Sequence, residues 1–290
     1  MTAGQVVSSA VQLSMALGVF CVALEATPPV VRRILRQPGL VARTLLSMFV
    51  IMPLFVLVLV AALDLRRDLE IALMCLALSP VPPILPKKQI KAGGDPAEVV
   101  GLLGLSALGS VVFMPLALRL LGSALGRTLP VPQGALLWIV ITSLLLPLVA
   151  GQLVRRWAPD FAHRIADKLG RAASVLLLVA ILPVLVASWR VILAELGSFT
   201  LGAIATFVLV GLLIGHLLGG PDESDRTVLA LATATRHPGV AIAIAQATAA
   251  DQKTVPAAVI LYLVAAALVS VPYVKWRTKG AGAPSMPVIH

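Results

Sequence analysis

The sequence predicts an all-α polytopic membrane protein of about nine transmembrane helices, and three observations carry that reading. Of the 290 residues, 59% are hydrophobic and only 12% charged, whereas a soluble globular domain carries about 25% charged residues. The apolar residues fall into runs long enough to cross a bilayer, separated by short charged or Pro/Gly-rich breaks, and each crossing needs about 20 such residues. Two of the runs are interrupted by prolines, which remove backbone donors and so mark broken helices inside the membrane.

The expected spans lie near 5–27, 39–63, 69–91, 96–121, 133–154, 171–189, 198–219, 227–249 and 254–274, and residues 1–290 read as a single transmembrane unit. The first run passes into Glu25, Pro28 and Pro29 without a basic leader or a small-residue cleavage site, so it is expected to remain as a span. Both cysteines, Cys21 and Cys75, fall within apolar runs, which argues for packing and against a disulfide framework or a cysteine metal site.

Orientation follows from the basic residues. With the amino terminus outside, 16 of the 23 Lys and Arg fall in cytoplasmic segments, six on the other side, and Arg236 inside a span. Such a bias sets topology. The expectation is a multi-pass protein of a bacterial-type inner membrane with its carboxyl terminus in the cytoplasm. The net charge of +10 is accounted for by these loops; no basic stripe interleaved with aromatics is present, so nucleic acid is not an expected partner.

The two interruptions are Ser79-Pro80-Val81-Pro82-Pro83 in the third span and Thr235-Arg236-His237-Pro238-Gly239 in the eighth. Pro82 is followed 33 residues later by Pro115, and Pro238 34 residues later by Pro272. The third and eighth spans run in opposite directions, so the spacing predicts an inverted repeat of the kind secondary transporters use. At about 1.5 Å per residue, both interruptions reach ~14–15 Å into the membrane. Opened backbone at that depth must be buried in protein or line a water-filled cavity, so the two breaks are expected to face each other across one.

Around these residues the chain resembles the bile acid:sodium symporter family. Phe49-Val50-Ile51-Met52-Pro53, the stretch from Ser79 to Asp95 with the small-residue helix after it, and Ala232 to Gly239 carry the resemblance. It implies a panel domain, here the spans near 5–27, 133–154 and 171–189, and a core domain, here 39–121 and 198–274, in which two broken helices cross. It also implies that the first helix of ten-span bacterial members is missing, leaving nine. The places that supply side-chain oxygens to sodium in coupled members hold Leu85, Pro86, Val99, Leu103, Met48, Ala232 and Arg236. None of these side chains offers oxygen to a hard cation, so the reading departs from sodium coupling. Protons, exchange or no coupling at all stay open.

The expected cargo is a small organic anion. A guanidinium at mid-membrane costs at least ~2.5–3.5 kcal/mol unless solvated or paired, so Arg236 is read as lining the substrate site or standing in electrostatically for sodium. The competing reading is a staple on opened carbonyls. His237, Pro80, Pro82, Pro83, Lys87 and Gly239 complete the candidate substrate-binding set. Beside an arginine, His237 is expected to be a neutral, hydrogen-bonded imidazole. Asp95 and Glu98 open the fourth span, where acids cap a helix. No Walker A loop, H-E-x-x-H, Cys-x-x-Cys or G-x-S-x-G is present, so no catalytic residue, cofactor or metal is assigned and an enzyme is not expected. Two alternatives accompany the carrier: a transport-inactive membrane sensor of the same fold, and a sodium symporter with relocated ion sites.

Overall fold

Helices account for the regular structure in a computed structural model that describes residues 3–26, 28–82, 85–124, 138, 141–187, 189, 199–248 and 254–280. In chain order they are α1 (Ala3–Glu25), α2 (Pro28–Leu35), α3 (Pro38–Ala62), α4 (Arg67–Leu78), α5 (Leu85–Lys91) and α6 (Pro96–Ala124). There follow α7 (a π-turn Ile141–Leu145 running into Leu146–Trp157), α8 (Pro159–Ala187), α9 (Phe199–Leu218), α10 (Glu223–Ala234), α11 (Pro238–Thr248) and α12 (Val255–Gly280).

Among the described residues, five helical segments are long and apolar enough to cross a membrane: Pro38–Ala62, Pro96–Met114, Phe199–Leu218, Glu223–Gln246 and Val255–Lys279. The expected breaks both occur, α4 ending before Ser79 and α10 before Thr235. The amino-terminal part of the expected fifth span, 133–140, lies almost wholly outside the described residues. The last helix runs further than expected, to Gly280.

Two sets of helices pack as groups. α1, α7 and α8 contact one another, while α4, α11, α12 and α9 surround the crossing of the two breaks. Fully buried Phe207, Met48, Met52, Leu73 and Leu76 belong to one continuous apolar cluster there. On α9, a Cβ at Gly211 would meet the Cα of Ala234 at 2.8 Å, and one at Gly215 would meet the Cα of Ala230 at 2.5 Å. Glycines four residues apart therefore let the α10 backbone lie directly on α9, the small-residue packing that membranes favour.

α3 contains one irregularity that positions the site. Its turn Leu46–Ile51 is π-helical, and the Met52 amide donates to Ser47 O, five residues back. The next residue is Pro53, which has no N–H to donate. The Met48 carbonyl is thus left without a partner in its own helix.

Candidate functional site

Prolines create the same vacancy at both breaks. The residues three and four beyond Ser79 are Pro82 and Pro83, and the residue four beyond Ala234 is Pro238. Neither carbonyl can be taken by a following amide at its helical position. Buried carbonyls left unpaired cost about 1–3 kcal/mol each, so something else must donate to them.

Arg236 and Tyr262 are the donors. The Arg236 side chain is 0% exposed; Nη1 donates to Ser79 O at 3.2 Å and Nη2 to Met48 O at 3.0 Å. Tyr262, also fully buried, donates its hydroxyl to Ala234 O at 2.9 Å and accepts from the Arg236 amide at 2.6 Å. The His237 amide donates to Pro80 O at 2.9 Å. The two breaks therefore bond directly, backbone to backbone and side chain to backbone, at the place where a water-filled gap was expected. The reason is stoichiometric: the first break offers carbonyls and the second offers donors. Among the described residues no carboxylate pairs with Arg236, and its Nε has no partner.

His237 turns the other way. Its Nδ1 accepts from the amides of Gly239 and Val240 at 3.2 and 3.4 Å, capping α11 as a side-chain acceptor does. Nδ1 as acceptor fixes the neutral tautomer with its proton on Nε2. That Nε2 is buried without a partner and the ring borders a cavity of about 10 Å³ formed by Met15, Val19, Pro80, Val81 and Val240 among others. The space holds about one water molecule. Gly239 keeps α1 close: a Cβ there would come within 2.6 Å of Val11 Cγ1 and 3.2 Å of Met15 Sδ.

A second cavity of about 160 Å³ opens between α1, α8 and the α5–α6 side, and Val22 and Leu103 line both spaces. Its walls include Gly18, Ile90, Val100 and Ser174, with Glu25 and Asp167 adding carboxylates. Arg236 lines neither cavity.

Of the other residues singled out from sequence, Pro82 is buried at the first break. Pro83 lies outside the described residues, as does the side chain of Lys87, whose backbone belongs to α5. Lys88 donates to Ser270 Oγ on α12. Asp95 caps α6, accepting from the amides of Ala97 and Glu98. Met48, Leu85, Val99, Leu103 and Ala232 are all at most 4% exposed and present hydrocarbon to their surroundings. Sequence reasoning missed Tyr262 and the Met48 carbonyl; the Met52-Pro53 pair was the signal for the second. It also missed a buried hydroxyl pair, Ser47 and Thr233, 3.2 Å apart between α3 and α10.

Comparison with known proteins agrees with this architecture. The family described as Sodium Bile acid symporter family matches residues 12–195, well over half of the chain. A relative from Bacillus subtilis (strain 168), named an uncharacterized sodium-dependent transporter, YocS, is 23% identical over 258 residues, 87% of this chain and 78% of that protein.

Proposed function

The chain belongs to the sodium bile acid symporter family, and from that premise we propose that it is a secondary carrier of a small organic anion, working by alternating access without sodium. Membership makes it a multi-pass membrane transporter rather than an enzyme. On our reading α1, α7 and α8 form the panel, the remaining spans form the core, and the core's two halves are inverted repeats.

One observation carries the proposal: a fully buried guanidinium ties both breaks and α3 together on carbonyl oxygens with no acid partner among the described residues. A positive charge held there permanently does what a bound cation would do, drawing opened carbonyls together. Its field is uncompensated by any acid among the described residues and reaches an anion in the neighbouring space through the intervening protein, because Coulomb interactions are weakly screened where water is excluded. The larger cavity is the vestibule, and His237 Nε2–H is the donor beside the small cavity that shares Val22 and Leu103 with it. Pro80 and Gly239 shape that donor's surroundings. Among the described residues around the crossing, sodium finds few ligands: the Ser47 and Thr233 hydroxyls are uncharged and lie on α3 and α10, and the carbonyl next to Ser47 is already taken by Arg236.

Counterflow in proteoliposomes tests this reading. Labelled bile acids and simpler monocarboxylates should exchange against themselves equally well in sodium, potassium or choline. Absence of exchange for every anion would favour a binding-only protein. A second reading, cargo bearing a positive group, is favoured by Glu25 and Asp167 on the vestibule wall. A thermal-shift screen of organic anions against organic cations separates the two, since a bound ligand raises apparent stability by mass action.

A further inference from the structure

The connector between α1 and α3 carries charges that the carrier reading does not use. α2 ends at Leu35, and α3 crosses the membrane from Pro38 onwards. The connector is therefore held at the end of a crossing helix, at the level where lipid headgroups meet water. The turn between α7 and α8 marks the same level. Gln152 of α7 donates to Ala23 O and Ala26 O at the end of α1, at 2.8 and 3.1 Å, and Leu24 is buried against Ala162 and Ala166 of α8. There the turn exposes Trp157 and Phe161, by 75% and 51%. Exposed aromatic rings of this kind gather at membrane interfaces.

One side of α2 is fastened to the protein. Ile34 is buried in a space that Gly101 of α6 leaves open, for a Cβ there would collide with Ile34 Cγ1. Arg33 spans the first turn of α6, with Nη2 2.9 Å from Glu98 Oε1 and Nη1 3.4 Å from Asp95 Oδ2. The other side of α2 is bare. Arg32 and Arg36 are exposed; the Arg36 amide donates to Arg32 O at 3.0 Å, and side chains one helical turn apart stand on the same side. Among the described residues no carboxylate pairs with either arginine. Beside them Leu35 is 70% exposed. Two free guanidinium groups flanking a projecting leucine at headgroup level match an anionic lipid surface, in which planar forks take phosphate oxygens while the apolar chain enters the acyl boundary. An acidic peptide or a nucleic acid would match the charge and leave Leu35 in water.

We propose that α2 is a docking surface for anionic phospholipids, with Arg32 and Arg36 holding headgroup phosphates and Leu35 reaching the acyl chains. Arg33 and Ile34 pass this attachment on to α6, so the lipid steadies the connector that joins α1 to α3. The inference rests on the membrane fold and is independent of the cargo.

The test uses purified, delipidated protein in a neutral detergent, titrated with phosphatidylglycerol or with phosphatidylcholine of the same acyl chains. Thermal unfolding reports binding by mass action. Phosphatidylglycerol should stabilise the protein at lower concentration than phosphatidylcholine, and added salt should narrow the difference. The double variant Arg32→Gln with Arg36→Gln keeps Arg33 and the α6 contacts, so it should unfold like the wild type without lipid. Its apparent affinity for phosphatidylglycerol should fall about thirtyfold, at about fivefold for each basic group. Should the double variant not fold, each single variant should show its own fivefold loss. Leu35→Ser should weaken both lipids alike, since they share acyl chains, and unchanged affinity there would overturn the insertion of Leu35. Equal affinity of the wild type for the two lipids, an undiminished preference in a folded arginine variant, or the same stabilisation by inorganic phosphate alone would overturn the lipid surface.

Discussion

The two helix breaks perform opposite halves of one task. The first, at Ser79 to Pro83, presents acceptors to its partner: Pro82 and Pro83 have no N–H to offer Ser79 O, and Pro80 O also accepts from the other break. The second, Thr235 to His237, is mostly donor, through the Arg236 guanidinium and the His237 amide. Each break alone would be a defect in a low-dielectric interior; crossed, they satisfy each other. Symmetry of sequence position thus coexists with complementarity of chemistry, and the cation that joins them is covalently part of the chain.

The strongest way to break that complementarity is to remove the donor. Arg236→Leu leaves Ser79 O and Met48 O buried and unpaired, at about 1–3 kcal/mol each, partly offset by removing a charge from the interior. The unfolding midpoint in mild detergent should fall clearly, and unchanged stability would show that the carbonyls find other donors. Arg236→Lys should recover part of the loss, because an ammonium keeps the charge but lacks the planar fork that reaches two carbonyls.

Next in size is Tyr262→Phe, which leaves Ala234 O and the Arg236 amide without their partner and should cost about 1–3 kcal/mol. Full stability in the variant would mean that a water replaces the hydroxyl.

His237→Asn separates capping from cargo binding. An asparagine oxygen can take the place of Nδ1 and cap α11, so stability should stay within about 1 kcal/mol of wild type while the donor into the cavity is lost. Counterflow affinity should fall several-fold, as one neutral hydrogen bond is worth about 0.5–1.5 kcal/mol. Unaltered affinity would exclude His237 Nε2 as a cargo donor.

How far the site could be read from sequence differs between its two sides. The breaks themselves were legible, since Pro80, Pro82, Pro83 and Pro238 inside apolar runs admit few alternatives. Arg236 was legible too, because a charge at that depth demands a partner. What it bonds was not: its acceptors are backbone oxygens of Ser79 and Met48, and a carbonyl has no identity in sequence. Met48 O is open only because a π-turn meets Pro53, a coincidence of backbone geometry. Nor could Tyr262, 26 residues beyond Arg236, be paired with it before the approach of α12 was known.

A smaller effect sharpens the first-break argument from the α3 side. Pro53→Ala restores an amide that can compete for Met48 O and weaken one of the two Arg236 contacts. Stability should change by less than about 1 kcal/mol, the helix gaining what the arginine loses. A large loss would show that Pro53 serves another purpose in α3.

Topology offers a check that leaves the site untouched. Cysteines introduced at Lys168 and at Lys279 should resist an impermeant thiol reagent in intact cells, as the basic-residue bias requires. Labelling of both from outside would reverse the orientation.

The most direct measurement of the central claim, that Arg236 replaces a bound cation, is the affinity of an exchanged organic anion in sodium against potassium or choline. The account predicts no difference among the three. A tenfold or greater gain in sodium, about 1.4 kcal/mol, would contradict it, for it would mean that a sodium site operates beside the arginine after all.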